Sequence, residues 1–347
     1  MVGCQGEILT RDEELIFEEY GFGGFILFRQ NCQSPEQIAD LCRSLWNTAT
    51  DQPPFLAIDQ EGGRVHRLPE PFTHFSSAAQ IGQSGNLEIA YQCGRATAAE
   101  LSVVGLNLDF APVLDVNSNP ANPIIGDRAF GTTPERVIEM SSAWMRGLRD
   151  GGVIPCGKHF PGHGDTDRDS HLELPVVEKS LDQLRKIELP PFVDACRNGI
   201  EALMTAHVRF TALDRELPAT LSEAVVAGML RHQFGYDGVI FSDDMEMKAI
   251  SANFPPAEAA ALALRAGIDV LLFCHVLTNA IEVFESLCAL AENDSALRAR
   301  IEASSRRITG LKRSFLTAFT GSSGGESLAR LKAMNHQRIV DRVYGSL

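Results

Sequence analysis

Short apolar runs recur along this chain at the spacing of one strand and one helix, and nearly every run ends on a polar or charged residue. Gly24–Phe28, Phe55–Asp59, Leu106–Phe110, Val153–Cys156, Ala202–His207, Gly238–Ser242 and Asp269–Cys274 carry the strand signal. Between them lie helical patterns. Ser34 and Pro35 open one of these as N-cap and first helical residue, running to Asn47. Others are expected over Glu135–Asp150, Leu181–Asn198, Ser222–Gln233, Pro256–Gly267 and Thr278–Leu290. Strands that alternate with helices pair in parallel, with helices covering both faces of the sheet. A doubly wound sheet and a closed barrel both satisfy that rule. No Gly-x-Gly-x-x-Gly follows the first run, and the repeated polar strand ends suit a barrel mouth. The expected fold is a single (β/α)8 TIM-type barrel with a C-terminal helical tail.

The 347 residues suffice for one such barrel. Residues 1–315 are assigned to the barrel. Residues 316–347 are assigned to a linker, Gly321-Ser-Ser-Gly-Gly325, and a C-terminal helix over Leu328–Val343 packed on or trailing the barrel. Hydrophobic content of 44% with 22% charged residues describes a chain able to bury a large core. A net charge of -14 argues against nucleic acid and anionic membrane surfaces as partners. No apolar run reaches the length of a membrane span. The start Met-Val-Gly-Cys-Gln-Gly has neither a basic nor an apolar leader segment, so no signal peptide and a cytoplasmic location are expected. The eight cysteines are scattered without Cys-x-x-Cys pairs, which points to buried free thiols in a reducing compartment.

Two clusters carry chemistry. Lys158 to His171 reads Lys-His-Phe-Pro-Gly-His-Gly-Asp-Thr-Asp-Arg-Asp-Ser-His, a loop crowded with titratable groups directly after an apolar run. His159, His163, Asp165 and His171 are metal-ligand types, and Asp165-x-Asp167-x-Asp169 imitates the start of a calcium loop. Ser170 and Val176 stand where that loop needs Gly and Glu, and no His-Glu-x-x-His is present. No metal or cofactor is expected. Asp169 and His171, one residue apart in an extended segment, can point the same way and form an acid–base dyad. In the second cluster, Asp243 and Asp244 end a strand; one can face the barrel axis while the other braces loops.

These clusters, with Asp59-Gln-Glu-Gly-Gly-Arg-Val65, Phe110-Ala-Pro-Val-Leu-Asp-Val116, Gly126-Asp-Arg-Ala-Phe130 and Met204-Thr-Ala-His207, closely resemble glycoside hydrolase family 3, in its β-N-acetylhexosaminidase branch. The resemblance runs from about residue 3 to residue 310. It implies that Asp243 is the nucleophile, that His171 is the general acid/base oriented by Asp169, and that Asp59, Arg67, Arg128, Lys158 and His159 hold the sugar. It further implies an exo-acting, retaining β-N-acetylhexosaminidase that takes terminal N-acetylglucosamine from small carbohydrates, notably peptidoglycan-derived muropeptides in cell-wall recycling, as a monomer. The first barrel strand is expected to be short. Trp46 and Trp144 fall in helical patterns and are expected in the core rather than as sugar platforms, which suits a small pocket.

Three alternatives differ from this reading at named residues or domains. A family 18-type enzyme needs Asp, Asp and Glu where Ile240, Ser242 and Asp244 stand. The family 3 β-glucosidases usually take their acid from a second domain. A non-catalytic sugar-binding barrel would keep Asp59 and Arg128 without needing both Asp243 and the Asp169–His171 pair.

Overall fold

All seven apolar runs become strands, and an eighth, very short one precedes them. In chain order they are β1 Val2–Gly3, β2 Gly24–Leu27, β3 Phe55–Ile58, β4 Leu108–Asp109, β5 Ile154–Phe160, β6 Ala202–Thr205, β7 Val239–Asp244 and β8 Val270–Leu272. The computed structural model describes residues 1–49, 51–166, 168–170, 172–322 and 325–345. Each strand pairs in parallel with the next in sequence. The ring closes through a parallel bridge between Val2 and Phe273, where Phe273 N–H donates to the Met1 carbonyl at 3.0 Å. The fold is the TIM-type barrel the alternation predicts.

Alternation along each strand sorts side chains into two cores. Ile26, Phe55, Ala57, Leu108, Phe110, Ile154, Cys156, Ala202, Met204, Val239, Phe241 and Leu272 pack together inside the barrel. Their neighbours Leu27, Leu56, Ile58, Leu203 and Ile240 belong to the core shared with the helices. Leu316, with Ile308, Leu311 and Phe315, packs against the interior cluster and covers one end of it. Continuing the inward register by two residues gives Asp59 directly after β3, Lys158 on β5 and Asp243 on β7. The same periodicity that fills the barrel thus makes its C-terminal mouth charged.

The helix over Pro35–Asn47 starts as expected, with Ser34 Oγ accepting from Gln37 N–H at 3.2 Å. Three expectations need correction. The pattern over Leu181–Asn198 forms two helices, Leu181–Lys186 and Pro190–Arg197, because Pro190 and Pro191 bring no N–H to continue the first. The segment after Ser222 is a π-helix over Ala224–Gln233. The C-terminal pattern is also two helices, Glu326–Met334 and Gln337–Tyr344, divided where Asn335 takes a left-handed conformation with φ 49°.

The helix over Leu87–Val103 has no strong apolar stripe to announce it. Its buried face is largely small: Ala90, Cys93, Gly94, Ala96 and Ala98. That face lets it approach the Pro134–Asp150 helix so closely that a Cβ at Gly94 would lie 2.3 Å from the Trp144 carbonyl oxygen. Trp144 is buried and Trp46 packs on Phe319, with ring centroids 5.5 Å apart, so both tryptophans are structural. Among the described residues all eight cysteines are free thiols, six of them buried. No described helix is long and apolar enough to cross a membrane.

Candidate active site

A cavity of about 600 Å3 opens at the C-terminal mouth, floored by Phe110 and Met204 and lined by Asp59, Arg67, Arg128, Lys158, His159, Asp169 and Asp243. Seven of the eight residues singled out from sequence therefore meet in one place. The eighth, His171, lies outside the described residues.

The floor is a charge network. Lys158 is 2% exposed, and its Nζ lies 2.6 Å from both Asp59 Oδ1 and Glu61 Oε1. Glu61 in turn accepts from Arg128 Nε and Nη2, each at 2.8 Å, a bidentate pair. Burial pulls the Lys158 ammonium down, but Asp59 and Glu61 outweigh it and its pKa is raised. Burial likewise pushes the Glu61 carboxyl up, yet Arg128 and Lys158 hold it well below the usual carboxylate range. Both are charged, so the network fixes where Asp59 presents its carboxylate. Arg67 Nη2 stands 4.0 Å from Asp59 Oδ2, and its Nε is a buried donor with no acceptor among the described residues.

Glu61 was not singled out from sequence, although it sits two residues beyond Asp59 in the same motif. Its role depends on Arg128, and that partner is 67 positions away. Lys158→Met is expected to destabilise the fold by roughly 3–5 kcal/mol, because two partly or fully buried carboxylates lose their shared cation. Urea denaturation checks this. The double variant Lys158→Met/Glu61→Gln should recover part of the loss, and strict additivity would mean that the two groups are not coupled.

The loop after β5 is held by a second set of contacts. Asp115 is fully buried; its Oδ2 meets His159 Nδ1 at 2.7 Å and its Oδ1 accepts from His163 N–H at 2.6 Å. Burial raises the Asp115 pKa, but His159 and His163 outweigh it and the carboxyl is held below its ordinary value. His163 contacts Thr166 Oγ1 at 2.8 Å and Ser170 Oγ at 3.1 Å. Its pKa is lowered to about 4, chiefly by burial, so the ring is neutral near pH 7. Lys179 clamps Asp165 at 2.9 Å and Glu188 at 2.7 Å. Gly164 passes so near Val116 that a Cβ there would lie 1.7 Å from its carbonyl oxygen. His159, His163 and Asp165 thus turn to three different partners. Among the described residues no group of three or more His, Cys, Asp or Glu is placed to hold a metal ion.

These contacts bring Asp169 back over the mouth to line the cavity with Asp243. The Asp169 carbonyl accepts from Leu172 and Glu173 N–H at 3.0 and 3.1 Å, and the Ser170 carbonyl accepts from Ala249 N–H at 3.3 Å.

The two β7 aspartates take different surroundings. Asp243 Oδ1 accepts from the Asp244 N–H at 2.8 Å. Asp244 Oδ1 accepts from Glu246 N–H at 3.1 Å and Cys274 N–H at 3.3 Å, while Oδ2 lies 3.2 Å from His275 Nε2. Burial is the main cause that pushes Asp244 up to about 6. Glu246 accepts from His275 and Val276 N–H and from Asn279 Nδ2 at the start of the Leu277–Asn293 helix. Asp244 and Glu246 are bracing groups, as expected for one of the aspartates.

The glycosyl hydrolase family 3 N-terminal domain matches residues 5–311 of the chain. The beta-hexosaminidase of Alkalilimnicola ehrlichii is 38% identical over 282 residues, 79% of this chain and 80% of that protein. That of Neisseria gonorrhoeae is 40% identical over 275 residues, 77% and 75% of the two. Among solved structures, a glycoside hydrolase family 3 beta-N-acetylglucosaminidase from Paenibacillus sp. str. FPU-7 is similar with a TM-score of 0.89 and 38% identity. That match covers 96% of this chain but 66% of the Paenibacillus chain. NagZ from Neisseria gonorrhoeae, solved in complex with N-trifluoroacetyl-D-glucosamine, is similar with a TM-score of 0.79 and 33% identity over 100% of this chain and 97% of that one.

Proposed function

The chain belongs to glycoside hydrolase family 3 and is a glycosidase of the β-hexosaminidase type; from that premise we propose that it removes terminal non-reducing N-acetylglucosamine with retention of configuration. The observation that carries this reading is the pairing of Asp243, inward at the end of β7, with Asp169 on the returning loop, both lining one cavity. Asp243 is the nucleophile and forms a covalent glycosyl ester. His171, two residues beyond Asp169, protonates the glycosidic oxygen as the leaving group departs. It then deprotonates the water that releases the sugar, so the protons balance over the two steps.

The sugar is held by Asp59, Arg67, Arg128, Lys158 and His159. Asp59, fixed by Lys158, accepts from neighbouring hydroxyls, and the otherwise unsatisfied Arg67 Nε–H has a sugar oxygen to meet. An enclosed floor supports exo action, because a polysaccharide cannot pass through the barrel. Muropeptides carrying an N-acetylglucosaminyl group are the proposed substrates, processed by a monomer in the cytoplasm during cell-wall recycling. What supports this reading is the similarity to β-hexosaminidases along 77–79% of the chain.

Parallel hydrolysis of aryl β-N-acetylglucosaminide and aryl β-glucoside tests the reading, with the first product anomer assigned by NMR. We expect a preference of at least about a hundredfold for the acetamido sugar, as hydrogen-bond recognition of a substituent allows. Preference for the glucoside would select the β-glucosidase alternative. No turnover of either, with the sugar still bound, would select a non-catalytic barrel.

A further inference from the structure

A second cavity, of about 770 Å3, lies at the other end of the barrel, beside the helices Leu277–Asn293 and Ser295–Phe315. Phe22, Leu264, Phe284, Leu287, Ile301 and Ile308 form its apolar wall. Lys312 also lines it, and this lysine is only 5% exposed. Its Nζ sits 4.9 Å from the centroid of the Phe55 ring. A Cβ built on Gly23, another lining residue, would lie 3.9 Å from the same nitrogen. The ammonium is therefore at the cavity.

No described residue gives that ammonium a hydrogen-bond acceptor or an ion-pair partner. The buried carboxylate lining the cavity, Asp269, is already engaged by Arg231, Arg307 and Ser304. Asp51, Glu292 and Glu302 stand exposed at the cavity's edge. Burial alone lowers the Lys312 pKa, to about 8, so the group is still mostly charged at pH 7. A buried charge left with one aromatic face is an unusual use of a lysine, since burial is normally matched by an anion. The glycosidase chemistry makes no use of the residue.

We propose that this cavity binds a small amphiphilic monocarboxylate, with its carboxylate on Lys312 and its hydrocarbon between Phe22, Phe284 and Leu287. The wall and the cation together define that class. An uncharged hydrocarbon would bury the wall and leave the ammonium unpaired. A hydrated inorganic anion would leave the apolar wall of Phe22, Phe284 and Leu287 uncovered. Only a carboxylate joined to an apolar body satisfies both.

Decanoate titrated into the full chain by calorimetry tests this, with decanol and decyltrimethylammonium as matched probes. One decanoate per chain is expected, at least tenfold tighter than decanol, with no saturable binding of the cation. Lys312→Met should bring decanoate down to the affinity of decanol, while hydrolysis of an aryl glycoside at the far end of the barrel is unchanged. Leu287→Trp, which fills the cavity and keeps the lysine, should abolish decanoate binding, and it serves also if Lys312→Met does not fold. Absence of saturable decanoate binding overturns the proposal. So does an anion preference that survives Lys312→Met, or binding unaltered by Leu287→Trp.

Discussion

Asp243→Ala is expected to lower kcat on an aryl N-acetylglucosaminide by about four orders of magnitude while leaving the affinity for N-acetylglucosamine within a few-fold of the parent. Deleting the nucleophile removes the covalent route. Asp59 and its Lys158–Glu61–Arg128 support remain to hold the sugar. The choice of Asp243 over its neighbours is physical. Asp244 spends its carboxylate on two backbone N–H groups and His275, and at a pKa of about 6 it is partly protonated in mildly acidic solution. Glu246 engages both oxygens, one on the His275 and Val276 N–H groups and the other on Asn279 Nδ2. Neither can turn to an anomeric carbon without abandoning a structural contact. A 5-fluoro glycosyl trap followed by peptide mass spectrometry should place the label on Asp243. A label on Asp244 or Glu246 would refute the assignment, and so would an Asp243→Ala enzyme retaining a tenth of parent kcat.

How far the sequence discloses this site depends on the range of each contact. Period-two alternation along β3, β5 and β7 is a local property, and it already implies that Asp59, Lys158 and Asp243 face one axis once the sheet closes. The strand–helix rhythm implies the closure. Helix caps are local too, which is why Ser34 and Pro35 mark their helix to the residue. The Leu87–Val103 helix escapes notice because its buried face is made of small residues, whose fit depends on the partner helix rather than on apolar content. Glu61 and Asp115 escape for a similar reason. Each is read as one more carboxylate until Arg128, Lys158, His159 and His163 are seen around it. Composition taken alone also suggests more than the contacts bear. Three histidines and three aspartates in one loop look like metal ligands by composition, whereas His159 is tied to Asp115, the His163 ring to Thr166 and Ser170, and Asp165 to Lys179.

His171→Ala should divide substrates by leaving group. For an aglycone with an alkoxide-like pKa, kcat/KM is expected to fall by about 10³–10⁴, within the range that general acid catalysis supplies. For a dinitrophenyl glycoside, whose leaving group departs as the anion, the same step should change by less than about tenfold. The plot of log kcat/KM against leaving-group pKa therefore steepens in the variant. Asp169→Asn should give a smaller loss of the same kind. Removing the carboxylate beside an imidazolium lowers the imidazole pKa, and the acid is needed protonated. Activity is lost as pH rises through that pKa, so the alkaline limb of the pH profile should move to lower pH. Azide should rescue the second step in His171→Ala by forming a β-glycosyl azide, because an anionic nucleophile needs no base. A slope unchanged by His171→Ala would assign the proton to another group. The obvious substitutes are poorly placed for it: His159 offers Nδ1 to Asp115, and His163 is buried and neutral, with both ring nitrogens turned to Thr166 and Ser170. Asp169, by contrast, lines the cavity and precedes His171 by two residues in the sequence.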